Sequence, residues 1–457
     1  MSFDLEVAMA DDPFVDAVRR AEERWEKSRD DGMARSNVFT SVSPTPVGKP
    51  NPWVSGGSGT NLETPAEVIR IDPPAGPTTR GRIAGFAPLK VGYLVDIDTG
   101  SLLGDCLDAA ILAAEDALNA GELFRPVEIV PKIARGLPRE EARTTVQGYK
   151  ELVEAGCLVV LGPYITDNAL ALLPAMEELK VPLVSTNGAK AFHSRYGFTT
   201  GNGGVSEEGS IMAGWLREAG HRRVGMITEV SPGGAEYSKA FRDAARRNGL
   251  EIVGEAFIEQ NGARLREGLE LLRDTVKPDA VAYCGYGYPT AMFNPILKEL
   301  GWDPPRIMST AFMWYINEPR MLDDLEGWYG VDQTGPVDES EGEPNPNYVA
   351  MLDRFERRFG RRIQHAMIAC TYDQTRAAIA ALAAAPLLTP EGVVQGLESL
   401  TMLPTAVGGP RTYLSFGPYD RKGLKGDWLT IRRVVDGQPR FVGYLSSVYQ
   451  SPNVPTQ

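Results

Sequence analysis

Asp279-Ala280-Val281-Ala282-Tyr283-Cys284-Gly285-Tyr286-Gly287-Tyr288-Pro289-Thr290 reads as a short buried strand that breaks at Gly285 into a tyrosine-bearing loop. It then enters a helix at Pro289, the favoured first helical position. A strand feeding a helix through a short aromatic loop places that loop at the carboxyl edge of a parallel sheet. That edge is where open α/β sheets bind ligands.

The same alternation runs through most of the chain. On its amino-terminal side, apolar strands are expected at 90–95, 127–130, 157–161 and 181–184, separated by helices at 101–120, 139–155 and 166–179. The first helix carries Leu103, Leu107, Ala110, Ile111, Ala114 and Leu118 on one face and ends before Gly121, a favoured helix-terminating residue. A second series follows the glycine-rich stretch 201–204. Ser206 reads there as a helix cap with Glu207 and Glu208 in the first turn, where carboxylates complement the helix dipole. Strands at 223–228, 251–258 and 279–284 then alternate with helices at 235–248, 263–275 and 289–300. Apolar strands separated by amphipathic helices favour parallel sheets covered on both faces.

The expected fold class is therefore α/β, with two doubly wound parallel-sheet lobes. Helices at 348–359, 365–385 and 390–400 have no further sheet of their own and are assigned to the first lobe. Short antiparallel strands at 412–416, 426–434 and 441–445 surround the turn Asp420-Arg421-Lys422-Gly423. The expected division is an arm at 1–88, a first lobe at 89–202 and 335–409, and a second lobe at 203–334 and 410–457. Within the arm, Asp12-Pro13 opens a helix with Phe14, Val18, Ala21 and Trp25 on one face, and nine prolines between 36 and 88 give a tether.

Composition narrows the functions. The 457 residues carry a formal charge of −13, which opposes a sequence-independent hold on nucleic acid or on an anionic membrane. Cys106, Cys157, Cys284 and Cys370 are far apart and read as buried thiols. No apolar run has signal-peptide length before Arg35, where ten acids face six bases. The chain as written is thus expected in the cytoplasm, with the cell envelope as the alternative. No G-x-G-x-x-G after a strand, phosphate loop or G-x-S-x-G is present. With only His193, His221 and His365 available, a histidine metal site needs all three to converge. The expectation is a binder without catalytic residues, metal or cofactor.

From about 90 to 443 the chain resembles the type I periplasmic solute-binding proteins of the leucine/isoleucine/valine-binding kind, which include cytoplasmic amide sensors. The resemblance rests on the first strand and its loop, Leu161-Gly162-Pro163, the strand ending at Ser185, the Tyr283–Pro289 loop, Tyr372-Asp373, and the 420–426 segment. It implies two lobes joined by three hinge crossovers, near 201–204, 331–335 and 408–410, that close on a ligand. By position it assigns ligand contacts to Tyr164, Thr166, Asp167, Ser185, Asn187, Gly188 and Ala189 in the first lobe. In the second it assigns Glu236, Tyr237, Tyr286, Tyr288, Thr290 and Trp314. The free N–H groups of the helix opening at Thr166 would receive an anion.

The partners implied are a small amide, carboxylate or amino-acid-like ligand and an ABC-type permease. The alternative is a cytoplasmic sensor acting on a regulatory protein; a homodimer stays open. Where amino-acid binders of this kind place a glutamate after the tyrosine loop, this chain has Thr290. An ordinary branched-chain amino acid is therefore not the expected ligand, unless Asp167 or Glu236 supplies the carboxylate.

Overall fold

The computed structural model describes residues 67–74, 86–96, 101–137, 140–201, 205–260, 262–287, 289–314, 322–426 and 429–444, without the side chains of 101–103, 313, 314 and 323. The expected helix after Asp12 and the loop residue Tyr288 lie outside the described residues.

The first sheet contains β1 (Ile69–Ile71), β2 (Leu89–Val95), β3 (Val127–Ile133), β4 (Val159–Leu161), β5 (Leu183–Ser185) and β6 (Gly197–Thr199), in the order β1-β3-β2-β4-β5-β6. All pairings are parallel except β1, which runs antiparallel to β3 with Ile69 opposite Ile129. Between the strands run helices α1 (Ser101–Asn119), α2 (Ala142–Glu154), α3 (Thr166–Ala171) and α4 (Leu173–Leu179). The single helix expected at 166–179 is thus broken at Leu172, just before Pro174, which has no N–H to continue the ladder.

The second sheet contains β7 (Arg223–Glu229), β8 (Glu251–Ile258), β9 (Ala280–Cys284), β10 (Arg306–Met308) and β11 (Trp328–Asp332). Helices α5 (Val205–Glu218), α6 (Pro232–Arg247), α7 (Leu265–Leu271) and α8 (Thr290–Glu299) alternate with these strands. Helix α5 begins at Val205, so Ser206 sits inside its first turn rather than capping it. Strand β9 shows why the opening stretch is central. Ala280, Ala282 and Cys284 face one buried core, whereas Val281 and Tyr283 face another. A strand buried on both faces must be apolar throughout, as this one is.

Helices α9 (Pro346–Phe359), α10 (Ala366–Ala384) and α11 (Pro390–Glu398) pack on the first sheet, contributing Tyr348, Phe355, Ile368 and Leu397 to its core. Arginines of α9 and of the turn after it pair with acids along α1, including Arg354 with Asp116 at 2.7 Å and Arg361 with Asp105 at 2.7 Å. A small sheet of β12 (Leu403–Pro404), β13 (Tyr413–Leu414) and β14 (Leu424–Lys425) follows. The chain ends its described course in β15 (Thr430–Val435) and β16 (Gln438–Tyr444), antiparallel additions beside β11.

Two expected boundaries move. Leu414 and Phe416 belong to the first core, and Thr199 on β6 bonds the backbone of Arg421 and Gly423. The segment 410–426 therefore packs with the first lobe rather than the second, so the chain has not yet left the first lobe at 408–410. The arm also loses its last part, because residues 69–71 complete the edge of the first sheet. Alternating Val68-Ile69-Arg70-Ile71 was the available signal.

Close packing in the second lobe gives a direct test. A Cβ on Gly330 in β11 would lie 1.9 Å from Phe312 Cγ, and Phe312 is fully buried. Gly330→Ala is expected to destabilise the protein by at least about 1–3 kcal/mol, the usual cost of overpacking. Urea denaturation followed by circular dichroism reads this as a lower midpoint at unchanged slope.

Candidate functional site: the interlobe cleft

Each sheet reverses its winding beside its first parallel strand, since β2 lies between β3 and β4, and β7 between β8 and β9. Ligands of open α/β sheets sit at such switch points, beyond the carboxyl ends of the strands. The loops there are 162–166 and 186–189 in the first lobe, and 230–234 and 285–289 in the second.

In the first lobe the key side chain is Asp96, at the end of β2 and almost fully buried. Its Oδ1 accepts the N–H of Tyr164 at 2.7 Å; Oδ2 accepts those of Ile165 at 3.0 Å and Asn168 Nδ2 at 2.8 Å. Burial raises its pKa to about 6 against these bonds. The chain's own carboxylate thus takes the two N–H groups that immediately precede α3, those of Tyr164 and Ile165. Thr166 is buried at the first position of α3, and Ile165, not Thr166, is its N-cap.

Tyr164 and Ser185 turn inward. The Tyr164 hydroxyl hydrogen-bonds to those of Tyr93 at 2.6 Å and Thr371 at 2.9 Å, inside the first core. The Ser185 hydroxyl donates to Pro163 O at 2.8 Å and accepts from Asn187 N at 3.1 Å, tying two loops together. Asn187 Oδ1 accepts from Ala189 N at 3.2 Å, while its buried Nδ2 has no partner. Gly188 O accepts from Val205 N at 3.2 Å, at the first crossing.

The second lobe repeats the arrangement. Glu229 ends β7, almost fully buried, and accepts from Tyr286 N at 2.8 Å, Gly287 N at 3.3 Å and the Tyr283 hydroxyl. Burial raises its pKa to about 7. Behind the loop, Glu208 accepts from Thr310 N at 2.8 Å and from the Tyr237 hydroxyl at 3.3 Å. Burial lifts Glu208 further, to about 8. Tyr237 and Tyr286 meet edge to face with centroids 6.2 Å apart, and Thr290 is fully buried with an unpartnered hydroxyl oxygen. Trp314 closes a short 3-10 turn, Thr310–Trp314.

Contacts cross the cleft between described residues. The Tyr286 hydroxyl donates to Asp167 Oδ1 at 3.5 Å, and Glu236 accepts the backbone N–H of Lys190. Glu236 is therefore engaged in closing the cleft rim, with Lys190 and Lys422 as its nearby charges. Sequence reasoning missed Asp96, Glu208 and Glu229. The legible signal was that the first strand of each lobe ends in an acid, Val95-Asp96 and Thr228-Glu229.

A separate groove of about 910 Å³ runs between Phe192–Arg195 and Pro418–Lys422 at the outer side of β6, and none of the expected ligand residues lines it. Among the described residues no cluster of three His, Cys, Asp or Glu side chains could hold a metal ion, and no helix is long and apolar enough to cross a membrane.

Comparison with known proteins agrees with the fold. The chain is similar in structure to a leucine-binding protein from Thermotoga maritima, at TM-score 0.65 and 18% identity over 78% of this chain and 99% of that one. It is equally similar, at TM-score 0.65 and 19% identity over 78% and 100%, to the branched-chain amino acid transporter substrate-binding protein LivJ from Streptococcus pneumoniae, solved with isoleucine. An ABC transporter substrate-binding protein from Sphaerobacter thermophilus matches at TM-score 0.64 and 20% identity over 79% and 97%. No curated protein matches in sequence. The family model described as periplasmic binding protein matches residues 88–422, and the chain belongs to the periplasmic binding protein family.

Proposed function

We propose that this protein captures a small solute in the cleft between its two sheets and acts as the substrate-binding component of an ABC-type uptake system. The observation that carries the reading is the meeting of two switch-point loops, with Tyr286 of one lobe reaching Asp167 of the other. Its role is capture and release, with no bond made or broken. The acidic amino-terminal stretch supports a second reading, a cytoplasmic sensor that presents it to a protein partner. Cell fractionation separates the two by the compartment that holds the intact chain.

The ligand proposed is a small uncharged amide. Thr290 offers no charge for an ammonium group, Glu236 is engaged with Lys190, and Asp167 faces the Tyr286 hydroxyl. Asp96 already takes the N–H groups of Tyr164 and Ile165 in the first-lobe loop. Isothermal calorimetry against acetamide, propionamide, benzoate, leucine and valine tests this. Amide binding is expected to exceed leucine binding by about 100-fold, the cost of some 2.7 kcal/mol for desolvating unpaired charge. Micromolar leucine binding that survives Thr290→Ala would overturn the ligand class.

A further inference from the structure

We propose that Asp96 and Glu229 are a matched pair of positioning carboxylates, each holding the ligand-facing loop of its own lobe in its binding shape before ligand arrives. The inference rests on the cleft reading above.

The correspondence is detailed. Each carboxylate ends the first parallel strand of its lobe, at the switch point, and each secures the loop that follows the lobe's third parallel strand. In each, one oxygen takes a single backbone N–H, from Tyr164 or Tyr286, and the other takes two donors. Each loop is entered through a glycine that admits the close approach. A Cβ on Gly162 would lie 2.2 Å from Leu94 O, and one on Gly285 would lie 2.4 Å from Glu229 Cδ.

An ionised carboxylate is costly to bury and is tolerated where several donors converge on it. An amide in its place turns an NH₂ toward an N–H, so asparagine or glutamine cannot reproduce the arrangement. Tyr283, Tyr286 and Asp167 are the titratable groups facing Glu229; Tyr93 faces Asp96. When Glu229 takes a proton, one oxygen becomes a donor and the 286–287 loop loses an acceptor.

Hydrogen–deuterium exchange of the full chain tests the pair, read on peptides covering 164–165 and 286–287. Glu229→Gln is expected to speed exchange at 286–287 by about tenfold or more while leaving 164–165 unchanged, and Asp96→Asn the reverse. In the unaltered protein, protection at 286–287, corrected for intrinsic rates, is expected to fall as acidification protonates Glu229. In Glu229→Gln that dependence is expected to vanish. Unchanged protection, or a loss spread evenly over β7 and β9, overturns the proposal. If a variant fails to fold, the pH profile of the unaltered protein still decides. Because no ligand enters this experiment, failure of the amide panel would leave its result intact.

Discussion

Arg432→Met is expected to cost the protein about 3–5 kcal/mol, the usual consequence of leaving one member of a buried ion pair without its partner. Arg432 projects from β15 with its Nε 3.3 Å from Asp332 Oδ2, and Asp332 is fully buried. The same guanidinium donates from Nη2 to Gly335 O at 2.8 Å. It thus fastens the end of β11 at the second crossing between the lobes. Methionine preserves most of the volume and removes every donor. Asp332 keeps Gln333 N at 2.7 Å, the Thr334 hydroxyl at 3.2 Å and the Thr334 backbone N–H, which do not neutralise its charge. Chemical denaturation should show the loss, and adding Asp332→Asn should recover part of it by removing the stranded charge. A single variant as stable as the parent would show that the pair is not what holds this crossing.

Melting temperature is expected to rise on acidification from pH 8.5 to 5.5, opposite to the usual acid response. Among the described residues burial raises seven carboxylates above the ordinary range: Asp96 to about 6, Glu229 and Asp373 to about 7, Glu208 to about 8, and Asp105, Glu236 and Asp332 in the same direction. Between the ordinary carboxylate range and these values, the folded protein holds protons that the unfolded chain has released. Stability therefore falls as pH rises through this window, by an amount on the order of a few kcal/mol in total. Acids held low by partners at the surface, such as Asp279 and Asp353, are screened by solvent and count for little. Glu208→Gln should flatten the upper part of the curve, because Glu208 titrates last. A melting temperature that is flat or climbs from pH 5.5 to 8.5 would reject the assignment. The global gain on acidification should accompany local loosening at 286–287, since the proton that relieves a buried charge also removes an acceptor from that loop.

The amino-acid sequence by itself determined the α/β alternation and the two-lobed class. Both-sided burial writes itself locally, as in Ala280–Cys284, where every residue is apolar or aromatic. It also placed the tyrosine loop at a sheet edge and named Asp167 and Tyr286, which meet across the cleft. Short elements escaped it: β1 and β6 have three residues each and β11 has five, too few for a period to emerge.

What only the tertiary structure decided was which polar groups are already spoken for. Asp96 meets Tyr164 68 positions away, and Glu229 meets Tyr286 57 positions away. The inward turn of Tyr164 and Ser185 and the engagement of Glu236 with Lys190 depend likewise on how separate segments converge. A strand-ending acid reads the same in sequence whether it faces water, a ligand or a neighbouring loop. The difference lies in burial and in the direction of N–H groups brought by another strand, and both exist only once the sheet has assembled.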